Sequence, residues 1–199
     1  VNHRFNDRIS GYLDLQYRGI SYTAHGNLKG PEPINVDENY GFFNPKAGLV
    51  YSLNPKNKFY FSFARANREP SRADFENGNP KPEELNDYEL GWRFNRQKAS
   101  LLVNFYVMDY TNQLALTGAL DDVGTPIREN VGKSSRMGIE MEGTFALGNR
   151  LTWQPNVTFS RNRNQDFYFQ RDGVLTALGH THLSFSPAVV AGNIIAFQP

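Results

Sequence analysis

One stretch, residues 86–112, constrains the fold more than any other part of the chain, because it reads as two long β-strands joined by a tight turn. Apolar and polar side chains alternate in both halves, with the period of two that a pleated strand requires. In the first half, Tyr88, Leu90 and Trp92 share one face and Glu89 lies on the other. Each half is about nine to thirteen residues long, whereas strands usually have about five or six. A tilted strand of that length can cross a bilayer core, so this hairpin predicts part of a membrane barrel.

The same alternation recurs along the chain, and the segments between the alternating stretches follow a regular order. Tight turns near 54–57, 95–98 and 148–150 alternate with long polar segments at 67–86, 112–128 and 161–181. Outer-membrane barrels have this asymmetry, with short periplasmic turns and long extracellular loops. The predicted fold class is therefore all-β, an antiparallel meander of about eight long strands that forms part of a transmembrane β-barrel.

Composition agrees with this interpretation and argues against a nucleic-acid-binding protein and a disulfide-stabilised protein. Hydrophobic residues make up only 39% of the chain but aromatic residues reach 14%, which suits strands with one apolar and one wet face. The 21 Lys and Arg residues balance 20 Asp and Glu residues, so nucleic acid is not an expected partner. The sequence has no Cys, which excludes disulfides and thiolate metal sites. A soluble β-sandwich binding module also alternates and remains an alternative, although strand length and turn asymmetry favour the barrel.

The two phases of the alternation predict which side chains face lipid and which face the barrel lumen. The phase with essentially no charge is expected to point to lipid, and it includes Phe61, Leu90, Val103, Met141 and Val157. The opposite phase carries the charged and amide side chains. The side chains expected to face the lumen are Tyr60, Glu89, Arg93, Asn104, Tyr106, Glu140, Glu142, Gln154 and Asn156.

No motif in the sequence points to catalysis. Gly132-Lys133-Ser134 resembles the end of a phosphate loop, but the earlier Gly is missing and a strand follows. His180 and His182 lack a third ligand nearby, so no metal site is expected. Glu140 and Glu142, about 7 Å apart on one face, have nearly the spacing of a glycosidase pair, but a polar barrel interior explains them better. We therefore expect no catalytic residue and no cofactor, and an outer-membrane hydrolase on a small barrel remains only an alternative.

Several short segments, weak singly but specific in their order and spacing, together resemble the barrel of TonB-dependent outer-membrane receptors, particularly those of Bacteroides-like bacteria. They lie at residues 44–51, 63–70, 81–83, 88–91, 105–110, 129–132 and 137–142. The resemblance covers roughly three-quarters of the chain, from about residue 43 onward. It implies active uptake of a scarce, bulky nutrient, such as a ferric siderophore, cobalamin or a glycan, driven by the TonB complex.

The resemblance also implies how the chain is organised. Family members close about 22 strands around an N-terminal plug, so residues 1–199 are expected to form an incomplete barrel domain without the plug and the final strands. The implied localisation is the cell outer membrane. The implied partners are outer-membrane lipid, the nutrient ligand and, through an N-terminal region outside this chain, the TonB complex.

The long polar segments supply the candidate ligand-binding residues. Chain direction places all three segments at one rim, which the turn asymmetry makes extracellular. Their charged, amide and aromatic side chains can hydrogen-bond a polar ligand and stack on its flat parts, although they could also simply cap the barrel. The candidates are Arg72, Phe75, Asp121, Asp122, Phe167, Tyr168 and Arg171.

Overall fold

In the computed structural model, the described part of the chain forms one antiparallel sheet of ten strands, paired in the order of the sequence. The description covers residues 1–27, 33–121, 124–148, 150–171, 174–191 and 194–197, and side chains through residue 164 apart from that of Asn27. The elements are β1 (Asn2–Arg4), β2 (Ile9–Asn27), β3 (Pro33–Asn54), β4 (Asn57–Arg68), α1 (Arg72–Glu76), β5 (Glu83–Arg96), β6 (Ala99–Leu120), β7 (Pro126–Ala146), β8 (Leu151–Arg171), β9 (Val174–Ala191) and β10 (Ile194–Phe197). Among these residues no helix has the length and apolar character needed to cross a bilayer.

The predicted meander of about eight long strands is confirmed by β2–β9, which are flanked by the short strands β1 and β10. The long strands have between 12 and 22 residues. The predicted hairpin is also confirmed, because β5 and β6 pair antiparallel with Leu90 opposite Phe105 and Arg96 opposite Ala99. The other tight turns likewise join β3 to β4 and β7 to β8.

Cross-strand register aligns the apolar phase into continuous rows on one face of the sheet, which we call the apolar face. One row across β4–β8 consists of Phe61, Leu90, Phe105, Ile139 and Phe159. The next row towards the tight turns consists of Phe59, Trp92, Val103, Met141 and Val157. Five of these ten side chains are exposed, among them Leu90 at 54% and Phe105 at 49%, and the other five are half-buried. So large an exposed apolar surface marks a site of contact with a membrane or another protein.

The apolar face ends at one register row, which we call the boundary row. Its members lie side by side across β4–β8 and are Arg65, Asn86, Asp109, Ser135 and Arg163. The distance along each strand from the tight turn to this row is close to the ~9–11 residues that a tilted strand needs to cross a bilayer core. The strands continue past the boundary row, and β6 reaches Leu120.

Two of the three predicted long loops are wrong. Within 112–128, β6 continues to Leu120 and β7 begins at Pro126; within 161–181, β8 continues to Arg171 and β9 begins at Val174. Past the boundary row neither face of the sheet has to meet lipid, so the apolar–polar alternation disappears from the sequence although the backbone pairing persists. The segment 67–86 is a genuine long connection between β4 and β5, and it contains α1, which the sequence analysis did not predict.

The assignment of the two faces makes a prediction for the protein in lipid vesicles. Nitroxide labels at Leu90 and Phe105 are expected to be relaxed by oxygen, which concentrates in lipid. Labels at Glu89 and Asn104 are expected to respond to a water-soluble nickel chelate instead. Power-saturation electron paramagnetic resonance measures both, and opposite accessibility at the two pairs would overturn the assignment.

Candidate functional site

We call the face opposite the apolar face the polar face. On it, tyrosine side chains extend across the neighbouring strand. The Tyr60 hydroxyl on β4 donates a hydrogen bond of 2.9 Å to Asn104 Oδ1 on β6. Gly91 on β5 pairs with both of these residues and so lies between them. A Cβ at Gly91 would overlap the Tyr60 ring, so only glycine leaves the tyrosine room to cross β5.

The same arrangement occurs elsewhere on the polar face. Tyr106 lies over Gly138, its direct partner on β7, and Tyr12 lies over Gly48, its direct partner on β3. In each pair an added Cβ would overlap the tyrosine ring. Each tyrosine ring therefore lies against the backbone of its partner glycine, in the space that a side chain would otherwise occupy.

The residues predicted to face the lumen share the polar face. Glu89 pairs with Tyr106, Asn104 with Glu140, and Glu142 with Asn156. Towards the tight turns, a cavity of about 490 Å³ is lined in part by Arg93, Glu142, Gln154 and Asn156. Asn156 Nδ2 lies 3.5 Å from Glu142 Oε1, and Arg93 provides the opposite charge. That this face lines a barrel lumen stays a prediction.

At the other end of the polar face, the connection between β4 and β5, residues 69–82, is a folded structure rather than an open loop. Its helix α1 begins after Ser71, whose backbone N–H and hydroxyl both donate to Asp74 Oδ2 at 2.7 Å. The backbone bond is one half of a capping box, which satisfies a free donor at a helix start. Asp74 is almost completely buried, at 4% exposure.

Arg128 on β7 forms a bidentate ion pair with this buried carboxylate. Its Nε lies 3.0 Å from Asp74 Oδ1, and its Nη2 donates to Asp74 Oδ2 at 3.2 Å. The same Nη2 donates to Ser71 Oγ at 3.0 Å. A two-pronged pair of this kind fixes the relative orientation of its partners better than a single ion contact does. The start of α1 is therefore fixed to β7.

On its other side, the connection contacts β2 and β3. Arg18 Nη2 on β2 donates to Glu69 Oε2 at 2.6 Å, and the Arg18 guanidinium lies 5.3 Å from the centroid of the Phe42 ring. Phe75 of α1 stacks on Tyr22 of β2, with ring centroids 5.5 Å apart and an interplanar angle of 13°. An ion pair and an aromatic stack thus both attach the connection to β2.

Tyr40 adds a hydrogen-bonding group to the same region, on β3 beyond the membrane-crossing part. Its ring stacks on Phe42 with centroids 5.6 Å apart. Burial raises the pKa of Tyr40, and the carboxylates of Glu38 and Glu69 raise it further. The phenol therefore stays neutral at physiological pH and keeps its proton for donation.

The end of the connection is fixed to β6 and β7. Lys81 N donates to Asn130 Oδ1 at 2.6 Å, and Asn130 Nδ2 donates to Lys81 O at 3.0 Å. Leu114 N on β6 donates to Glu83 Oε2 at 3.0 Å. The helix itself packs against both β3 and β7, which are separated by three other strands. One short helix can reach both only if the sheet curls, so the polar face is concave at this end.

The structure assigns local roles to the predicted ligand-binding residues that it describes. Arg72 and Phe75 lie in α1, where Arg72 Nε pairs with Glu76 Oε1 at 2.7 Å. The Asp121 carboxylate accepts from Thr125 N at 2.7 Å and so shapes the β6–β7 turn. Asp122 and the side chains of Phe167, Tyr168 and Arg171 lie outside the described residues. Ligand binding by all seven stays a prediction.

Sequence reasoning missed the residues that organise this region, namely Arg18, Tyr22, Asp74 and Arg128. One signal was available, because Ser71-Arg72-Ala73-Asp74 has the spacing of a capping box and so marks a helix start. The pairing of Asp74 with Arg128 spans 54 residues, and that of Arg18 with Glu69 spans 51. Nothing in a single sequence links residues so far apart.

Comparison with known proteins adds a family to this geometry. The family model for TonB-dependent receptor-like β-barrels matches residues 1–192. A comparison with curated protein sequences gives no significant match.

Solved structures share the fold. The FrpB iron transporter from Neisseria meningitidis (F3-3 variant) is 18% identical over 96% of this chain and 29% of its own, with a TM-score of 0.69. The copper transporter OprC is 14% identical over 94% of this chain and 30% of its own, with a TM-score of 0.73. The ferric yersiniabactin uptake receptor FyuA from Yersinia pestis is 18% identical over 94% of this chain and 29% of its own, with a TM-score of 0.65.

The chain thus spans about three-tenths of the length of these proteins. At such identities their likeness establishes the fold, whereas the family model, which matches nearly the whole chain, establishes membership. Members of the family are outer-membrane transporters rather than enzymes, so the hydrolase and the soluble β-sandwich are both excluded as alternatives. The chain belongs to the TonB-dependent receptors and forms part of their outer-membrane β-barrel domain.

Proposed function

We propose that the receptor containing this barrel segment imports a scarce nutrient across the outer membrane with energy supplied through TonB. Ferric siderophores, cobalamin and glycans are the substrate classes that the family resemblance implies. The relatives named for iron, copper and ferric yersiniabactin support the metal-containing classes. Residues 1–199 would contribute part of the barrel wall, and the plug and the TonB-contacting segment would be supplied by other parts of the receptor.

We further propose that the β4–β5 connection forms part of the outer vestibule, where the ligand first binds. The single observation that supports this is its fixed position over the concave end of the polar face, held between β2 and β7. Arg72 is largely exposed there and offers a cation. Tyr40 offers a neutral hydrogen-bond donor, and Phe75 an aromatic surface. Such a mixture suits a ligand with oxygen-rich and flat parts.

Uptake by intact cells tests the transport proposal. Iron-starved cells that express the full-length receptor would be given ⁵⁵Fe bound to a hydroxamate or a catecholate siderophore, or ⁵⁷Co-cobalamin, or a labelled oligosaccharide. We expect accumulation of one of these probes, and at least tenfold less in cells without TonB. Equal accumulation with and without TonB, or none of any probe above the receptor-free level, would contradict the proposal.

The vestibule is tested separately by binding of the transported probe. The double substitution Arg72→Ala and Phe75→Ala is expected to weaken binding to cells about five- to thirtyfold, because truncating important contact residues costs about 1–2 kcal/mol. Lys56→Ala at a tight turn on the opposite rim is the matched control and should leave binding unchanged. Unchanged affinity in the double variant, at the same surface level of receptor, would show that the connection is only a cap.

A further inference from the structure

The β4–β5 connection contains a dipeptide, Asn77-Gly78, whose two residues can react with each other. It is the only Asn-Gly sequence in the chain. A glycine after an asparagine leaves the intervening backbone nitrogen unshielded, because glycine has no Cβ and its backbone rotates more freely than that of other residues. That nitrogen can reach the asparagine side chain and attack its amide carbon. The sequence therefore has the chemistry of a deamidation site.

Asn77 is the residue at which α1 ends, and its side chain has a structural role there. Its backbone N–H donates to Asp74 O at 3.3 Å, and its side-chain Nδ2 donates to Ala73 O at 2.9 Å. The second bond satisfies one of the last carbonyl groups of the helix, which have no partner within the helix itself. Loss of Nδ2 would therefore leave the end of α1 without this hydrogen bond.

Gly78 is much less constrained than Asn77. It is exposed, and none of the described backbone carbonyl groups accepts a hydrogen bond from its N–H. A Cβ added at Gly78 would meet no atom within 4 Å, so the space around this residue is open. No contact with the rest of the fold keeps the Gly78 nitrogen from approaching the Asn77 side chain once the bond between them rotates.

The folded connection slows this reaction without preventing it. The ψ angle of Asn77 is 7°, which places the Gly78 nitrogen alongside the Asn77 nitrogen rather than beneath the side chain. Ring closure therefore requires rotation about this bond and release of Asn77 Nδ2 from Ala73 O. Both happen when the last turn of α1 opens, and the ends of a short helix open at little cost in free energy.

We propose that Asn77 undergoes spontaneous deamidation and that the product loosens the β4–β5 connection from β7. The Gly78 nitrogen loses its proton and forms a bond to Asn77 Cγ, while the Cγ–Nδ2 bond breaks and Nδ2 leaves as ammonia. Water then opens the resulting succinimide at either carbonyl, which gives aspartate or isoaspartate. No electrons are transferred, and water is the only co-reactant.

Both products lack the group that holds the end of α1. A carboxylate cannot donate to Ala73 O, and it adds a negative charge at the helix C-terminus, where the helix dipole is already negative. The last turn has no basic residue to balance this charge. Isoaspartate also lengthens the backbone by a methylene group. The helix therefore loses its last turn and, with it, the geometry that holds Asp74 against Arg128. This effect is independent of which nutrient the receptor transports.

Mass spectrometry of the full-length receptor in detergent tests the modification. After incubation at mildly alkaline pH in ¹⁸O-labelled water, the peptide that contains Asn77 should show the mass change from amide to carboxylate, with the label incorporated. It should also become a substrate for an isoaspartate methyltransferase. Asn79 is the internal control, because Pro80 has no N–H with which to attack it. No change at Asn77, or an equal change at Asn79, would overturn the proposal.

The variant Gly78→Ala tests the attacking nitrogen. Its methyl group restricts the backbone and partly shields the nitrogen, so deamidation of Asn77 should become about tenfold slower or more. The substitution is expected to leave the fold unchanged, because the space at Gly78 is open and its φ angle is not in the left-handed region. Deamidation at the native rate in this variant would contradict attack by the Gly78 nitrogen and overturn the proposal.

The variant Asn77→Asp carries the carboxylate of one product and tests the effect on the connection. Trypsin cleavage after Arg72 should become about five- to thirtyfold faster, because a hydrogen bond is lost and an unfavourable charge is added. Asn79→Asp adds the same charge beyond the helix and should leave cleavage unchanged. If Asn77→Asp fails to assemble, the deamidated fraction of the native receptor, separated by charge, replaces it. Cleavage of the modified protein at the native rate would overturn the proposal.

Discussion

Replacing Asp74 with alanine is expected to release the β4–β5 connection from β7 while leaving the sheet folded. The substitution removes the carboxylate that accepts from Ser71 and Arg128, so both lose a short hydrogen bond. A hydrogen bond to a charged group contributes about 1.5–3 kcal/mol, and Arg128, which is about one-third exposed, can recover part of this from water. We expect local opening to become easier by roughly 2–3 kcal/mol, and trypsin cleavage after Arg72 in the full-length receptor to become about 30- to 150-fold faster.

A double-mutant cycle measures the interaction energy between Asp74 and Arg128. Arg128→Ala should have a similar effect, and the combination with Asp74→Ala should be much less than additive because both substitutions remove the same contact. Glu76→Ala is the matched control, since it removes only the exposed pair with Arg72 in the same helix and should cost less than about 0.5 kcal/mol. A cleavage rate in Asp74→Ala equal to that of the native receptor would show that the connection is held by other contacts.

Replacing Gly91 with alanine is expected to destabilise the barrel wall itself. The new methyl group would occupy the space of the Tyr60 ring, so the ring must move away and its hydrogen bond to Asn104 is lost. Overpacking typically costs about 1–3 kcal/mol, and the lost hydrogen bond adds about 1 kcal/mol. We expect a total loss of roughly 2–4 kcal/mol, measured as a lower urea midpoint for the full-length receptor in detergent.

Gly132→Ala is the matched control for this substitution. Gly132 also lies in a strand, but an added Cβ there meets no other atom within 4 Å, so stability should change by less than about 0.5 kcal/mol. Adding Tyr60→Ala to Gly91→Ala should recover part of the loss by removing the overlap. Equal midpoints for the Gly91 and Gly132 variants would contradict the steric role assigned to the tyrosine.

The sequence predicted the membrane-crossing part of the sheet well because lipid imposes a strict pattern there. Between the tight turns and the boundary row, nearly every second side chain is apolar, so strands and turns can be read from the period of the sequence. Beyond Asp109 on β6 and Arg163 on β8 that requirement ends, and the pairing of the backbones continues without a pattern in the sequence. Most of the segments 112–128 and 161–181 was therefore mistaken for loops.

The candidate site was less predictable for a different reason. The long β4–β5 connection could be located, and the capping-box spacing from Ser71 to Asp74 would have revealed α1. What fixes that helix is the contact of Asp74 with Arg128 and of Glu69 with Arg18, each between segments more than fifty residues apart. Such pairs depend on how the sheet curls, which is a property of the folded chain rather than of any local stretch.

The double attachment of the β4–β5 connection also has a mechanical consequence. Strands β3 to β7 form an arc, and the connection joins the two ends of that arc as a chord does. Four inter-strand spacings of about 4.8 Å give the arc a fixed length of about 19 Å. For an arc of fixed length, the length of its chord determines the radius of curvature. The contacts of α1 with β3 and β7 therefore act as a brace across this arc, in addition to the hydrogen bonds between strands.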